Sequence, residues 1–297
     1  MNHSMNNKSL LITKIVLVAA TVFLAFGFFV WTLFPNSQIT RVHSAYRDAL
    51  TLKSITPITE NPSLFSPFTS AQPLLRHVFL VVLVEAYTDG NVDIPVKLMP
   101  FAIQKEEEVL PKTVPYMNAY LYLGNAYDIL AITSTDPKAK ADNFAKAEAN
   151  YKKALEIIPN HQTVVKWYAI SLFNRGDVPG AINLVKRSLS MDDSIAELHY
   201  FLGQFSLYAQ KPDRVQVLND LEFSLKVNIN PNPKLTQKAY QDLLFYFAKK
   251  QDVPHTVTAL ERLMVIDKKQ ATLYGSIRDV IQKTGKVPEL ELNIPTQ

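Results

Sequence analysis

The chain has 297 residues, a formal net charge of +4 and no cysteine. Lacking thiols, it forms neither disulfides nor thiolate metal sites. Its 31 basic and 27 acidic residues are spread along the chain without a basic stripe, which argues against a nucleic-acid partner.

Residues 1–14 read as a polar tail. Residues 15–34, IVLVAATVFLAFGFFVWTLF, then carry no charge. At 1.5 Å per residue the run measures about 30 Å, the thickness of a hydrocarbon core, so it predicts a single transmembrane helix. Trp31 suits the membrane interface. The run is too long for a cleaved leader, and no small-x-small site follows it. Lys8 and Lys14 precede the run, and Arg41, Arg47 and Lys53 follow it. These flanks leave both orientations open. We read the tail as inside and the bulk of the chain as outside the cytoplasmic membrane.

Residues 35–69 read as stalk and linker. Val42, Ala45, Tyr46, Ala49 and Leu50 have helical spacing, and a proline-rich stretch follows. Residues 70–116 predict an N-terminal helical hairpin. Its first part, LLRHVFLVVLVEAY (74–87), favours strand by its valines but helix by its length and by Pro73 in the first turn. Contact of this segment with a membrane is left open. A second helix runs from Asp93 through Val109 and should bend at Pro100. The acidic run Glu106–Glu108 reads as a solvated face.

Residues 117–269 read as helical repeats. Helices are predicted over 117–132, 137–158, 161–175, 179–191, 194–210, 212–227, 233–250 and 254–267, with Asp136 and Asp177 as N-caps. Small or packing residues recur where paired helices would cross. Gly124, Ala169, Gly203 and Leu244 mark the first helix of each pair, at spacings of 45, 34 and 41. Ala154, Ser188, Ser224 and Leu263 mark the second, at 34, 36 and 39. RGDVPGAINLVKRSLSMD (175–192) and KQDVPHTVTALERLMVID (250–267) align without gaps. Residues 270–285 hold a C-terminal capping helix over 271–284, and residues 286–297 a loose tail.

YLYLGNAYDILA (120–131) and AEANYKKALEIIP (147–159), with the period near 34, resemble the tetratricopeptide repeat (TPR). The fold expected is therefore all-α: one N-terminal transmembrane helix, then a TPR-like helical-repeat superhelix of about four repeats with capping helices. The resemblance implies that the first helix of each repeat lines a concave groove for a protein or peptide partner. The positions so implied are Asn118, Leu121, Asn125 and Asp128 in repeat one, and Lys166, Ile170 and Phe173 in repeat two. Tyr200, Gln204 and Leu207 follow in repeat three, and Gln241 and Phe245 in repeat four.

A second resemblance concerns layout. The proline-rich NPSLFSPFTSAQPLLRHVFL (61–80) leads into an apolar helix and then the repeats. This is similar to the extracytoplasmic region of bacterial O-antigen ligase/polymerase-like membrane proteins. It implies, as an alternative, an accessory or glycan-binding role in envelope polysaccharide assembly. Those proteins carry many membrane spans, so their polymerase chemistry is not carried over.

No catalytic constellation is expected. His3, His43, His77, His161, His199 and His255 lie singly, with no His-x-x-x-His or Glu-x-x-His spacing. No phosphate loop or G-x-S-x-G is present. The sequence thus points to a membrane-anchored interaction scaffold of the cell envelope, not to an enzyme, and to no cofactor or metal.

Overall fold

The structure is a computed structural model that describes residues 72–112 and 116–289, with residues 40–41, 44–45, 47–48 and 55–59. Eleven long helices follow one another among these residues. They are α1 (Gln72–Thr88), α2 (Asp93–Glu107), α3 (Met117–Thr133), α4 (Pro137–Ile157), α5 (Gln162–Asn174), α6 (Val178–Leu189), α7 (Ala196–Ser206), α8 (Arg214–Lys226), α9 (Pro233–Lys249), α10 (Val253–Ile266) and α11 (Ala271–Thr284). A single helical turn at Thr56–Thr59 interrupts the expected linker. The chain divides into two compact units, residues 1–157 and 158–297.

The expected fold class needs one correction. It is all-α, but no helix among the described residues is long and apolar enough to cross a membrane. The predicted span at 15–34 lies outside the described residues. The segment 74–87, the most apolar part of the hairpin, is helical and belongs to α1. At 17 residues α1 extends only about 25 Å. The polar residues that interrupt it bond within the protein. The Arg76 guanidinium donates to Glu108 Oε2 at 2.9 Å and to the Lys105 carbonyl at 3.1 Å. Phe79, Leu80 and Leu83 are fully buried, and α1 packs on both α2 and α3. Burial inside the protein explains its hydrophobicity.

In the first unit, α3 pairs with α4. The pair closes tightly at one glycine. A Cβ on Gly124 would sit 2.6 Å from the Tyr151 ring. The ring therefore occupies the space that a side chain would need, and Tyr151 is fully buried. Asp136 caps α4 by accepting the Lys138 N–H at 2.9 Å. The long second helix expected in repeat one is present, with 21 residues.

The second unit repeats the scheme three times, pairing α5 with α6, α7 with α8 and α9 with α10, and α11 packs on α10. Gly203 meets Leu221 as Gly124 meets Tyr151, with a notional Cβ 2.9 Å away. Ala169, Ser188 and Ser224 are buried at the equivalent small positions. Asp177, Asp213, Asn232 and Asp252 each accept a first-turn N–H and start α6, α8, α9 and α10. Each such cap is worth about 1 kcal/mol. Residues Tyr200, Tyr240, Phe247, Leu260, Leu263 and Tyr274 build one hydrophobic core, which also contains Val287. The expected loose tail is therefore ordered at least through its first residues.

These contacts give a graded prediction. Gly124→Ala and Gly203→Ala overpack a closed crossing and should each lower stability by about 1–3 kcal/mol. Gly275→Ala, in the interior of α11, meets only the flexible end of Met264 at 3.4 Å. It should be neutral or stabilising by about 0.5–1 kcal/mol. Urea denaturation of the three variants checks the order.

Candidate functional site

The groove positions on α3 divide by burial. Asn118 is exposed, whereas Leu121, Asn125 and Asp128 are buried. The Tyr151 hydroxyl lies 2.7 Å from both Asn125 Oδ1 and Asp128 Oδ2. A phenol has one proton to donate, and the Tyr151 hydroxyl shares it between the Asn125 amide oxygen and the Asp128 carboxylate. Burial, then the charge and hydrogen bond of Asp128, push the Tyr151 phenol well above its ordinary value. These two polar side chains fasten α4 to α3.

A second polar cluster in the first unit lies at the end of α2. Glu106 is only 1% exposed, where a solvated face was expected. Its Oε1 lies 3.3 Å from His77 Nδ1 and accepts the Tyr116 hydroxyl at 3.4 Å. The His77 ring meets Tyr116 and Tyr122 edge-on. Glu108 bridges Arg76 and Lys105, and the Lys105 hydrogen bond is the main reason its carboxyl is held below the ordinary range. Glu107 accepts the Tyr127 hydroxyl at 2.6 Å. The run Glu106–Glu108 thus binds the hairpin to α3.

In the second unit the first helices lie side by side, α5 against α7 and α7 against α9. Tyr200 is 1% exposed and donates its hydroxyl to the Asn232 carbonyl at 3.1 Å. Gln204 is buried, and its Nε2 has no hydrogen-bond partner among the described residues. Ile170 and Leu207 are half-buried. Lys166 pairs with Glu197 across α5 and α7 at 3.1 Å and lies over the Trp167 ring. Gln241 faces the Tyr274 hydroxyl at 3.5 Å. Of the aromatic candidates, Phe245 is exposed and Phe173 is half-buried.

The ends of these helices hold aromatic residues that the repeat register did not select. Phe173 stacks on Phe205, with ring centroids 4.8 Å apart, and meets Tyr208 edge-on at 5.2 Å. Tyr208 is 53% exposed, just beyond α7. On α9, Phe245 and Tyr246 are exposed, and the Arg214 guanidinium lies 5.5 Å from the Tyr246 ring. Tyr208 follows Gln204 by four residues, one helical turn, which was the available signal for it.

No group of three His, Asp or Glu residues suited to a metal comes together among the described residues. The closest acid–imidazole pair joins α7 to α8. His199 Nε2 donates to the Asp193 carbonyl at 2.8 Å, and Nδ1 lies 2.7 Å from Asp220 Oδ1. Phe223 covers the ring at 4.4 Å. The pair is closed off by the helices that it joins.

No protein-family model matches the chain. No curated protein matches it either. Among solved structures, it is similar to the crystal structure of TTC0263, a thermophilic TPR protein in Thermus thermophilus. The two are 16% identical, with 69% of this chain and 99% of that chain covered, at a TM-score of 0.45. The helical repeat itself stands on the paired helices and their glycine contacts.

The His199–Asp220 pair carries a pH prediction. Burial is the main influence on the Asp220 carboxyl and raises it above the ordinary aspartate range, against its hydrogen bond to His199. A carboxyl raised by folding favours the folded state below its unfolded value, and that contribution is lost as pH rises through the folded value. Asp220→Asn should therefore gain stability relative to the parent between about pH 4 and neutrality. Urea midpoints at several pH values test the trend; a difference independent of pH contradicts it.

Proposed function

We propose that the chain is a protein-interaction scaffold whose second unit binds an extended peptide across α5, α7 and α9. The observation that carries this reading is the set of aromatic rings at the ends of adjacent first helices: exposed Tyr208 edge-on to half-buried Phe173, then exposed Phe245 and Tyr246. Rigid aromatic residues make large contacts at small entropic cost and dominate binding hot spots. In the first unit the equivalent helix uses Asn125 and Asp128 internally, which leaves Asn118 as its candidate.

A glycan partner is the alternative, since the same rings could stack on sugars. A role in the cell envelope is supported only by the sequence resemblance, not by the helices.

Phage-displayed random peptides selected on the full chain test the proposal. Affinities of the selected peptides are then compared on Phe173→Ala/Tyr208→Ala/Phe245→Ala. Tyr200 is left intact because its ring is core. The expected loss is about tenfold or more. Unchanged affinity contradicts the proposed face. Failure to select a peptide, with ring-dependent binding of oligosaccharides instead, favours the glycan reading.

A further inference from the structure

The second unit carries a separate peptide-binding feature at the end of repeat four, and the chain fills it itself. α11 ends at Gly285 in the left-handed conformation, φ 68°, which turns the chain back. The Thr284 hydroxyl accepts the Lys286 N–H at 3.2 Å and fixes the turn. Val287 then enters the core and is 5% exposed. The side-chain amide of Gln251 grips its backbone on both sides. Gln251 Oε1 accepts the Val287 N–H at 3.3 Å, and Gln251 Nε2 donates to the Val287 carbonyl at 3.1 Å. One amide thus reads a donor and an acceptor of the same residue, as a neighbouring strand would.

The clamp replaces a glycine of the repeat. In the aligned segments RGDVPG and KQDVPH, Gln251 stands where repeat two has Gly176. Both positions are left-handed, with φ of 54° at Gln251 and 91° at Gly176. Glycine takes that conformation freely, whereas glutamine does so at an energetic cost. Only glutamine supplies the amide that holds the tail.

The geometry points to a self-occupied docking site for an extended peptide with one buried aliphatic residue, held now by Val287 and open to exchange with the same sequence in trans. The clamp reads only main chain and the core accepts only the aliphatic side chain, so nothing else in the tail is needed. This site shares no residue with the face proposed above.

A labelled GKVPEL peptide tests the inference on the full chain. On the parent protein the tethered tail competes at an effective concentration in the millimolar range, so binding should be at least about tenfold weaker than on Val287→Asp. Adding Gln251→Gly to Val287→Asp should abolish the regained binding. A folded Val287→Asp chain that does not bind the peptide, or that binds it equally well with Gln251→Gly, overturns the proposal. Amide exchange covers the case in which Val287→Asp fails to fold. Gln251→Gly alone should then deprotect the Val287 amide and leave α9 and α10 protected; an unchanged Val287 amide overturns the clamp.

Discussion

Close approach of two helices at a single small residue is the constraint on which repeats one and three depend most directly. Gly124 lets the Tyr151 ring lie against α3, and only from there does the Tyr151 hydroxyl reach Asn125 and Asp128. Gly203 does the same for Leu221. In repeat architectures each pair contacts only its neighbours, so the angle set at one crossing determines where the next pair begins. The aspartate and asparagine caps act alongside it, fixing the residue at which each helix starts.

Much of this was legible because the signals are local. A capping aspartate close to proline placed the starts of α4 and α6, proline alone those of α9 and α10, and the spacing of Gly124, Ala169 and Gly203 placed the pairs. What stayed hidden depends on which partner arrives from another helix. The register put Asn125 and Asp128 on the inner face of α3, but not Tyr151 across from them. Glu106 lies within a run of acids that reads as solvated, and its partners His77 on α1 and Tyr116 before α3 come from distant parts of the chain. Hydrophobicity likewise suggested a buried helix for α1 but left its contact with a membrane open. Val287 did have a local signal: a glycine just past a helix is often followed by an apolar residue folding back onto it.

The first helices combine two tasks in the second unit. Their inner positions, such as Tyr200, hold neighbouring pairs together, while their ends present Phe173, Tyr208, Phe245 and Tyr246. The fold alone does not assign a partner, because one scaffold serves many functions. The partner reading rests on the rings. Repeat four departs most from the repeat pattern, and there the chain uses its own tail to cover the core.

The measurement closest to the central claim is chemical-shift mapping of the full chain with a peptide selected on it. The account predicts perturbed side-chain signals for Phe173, Tyr208 and Phe245 and for the Gln204 amide, with the outer surfaces of α6, α8 and α10 unmoved. Perturbation confined to those second helices would contradict it.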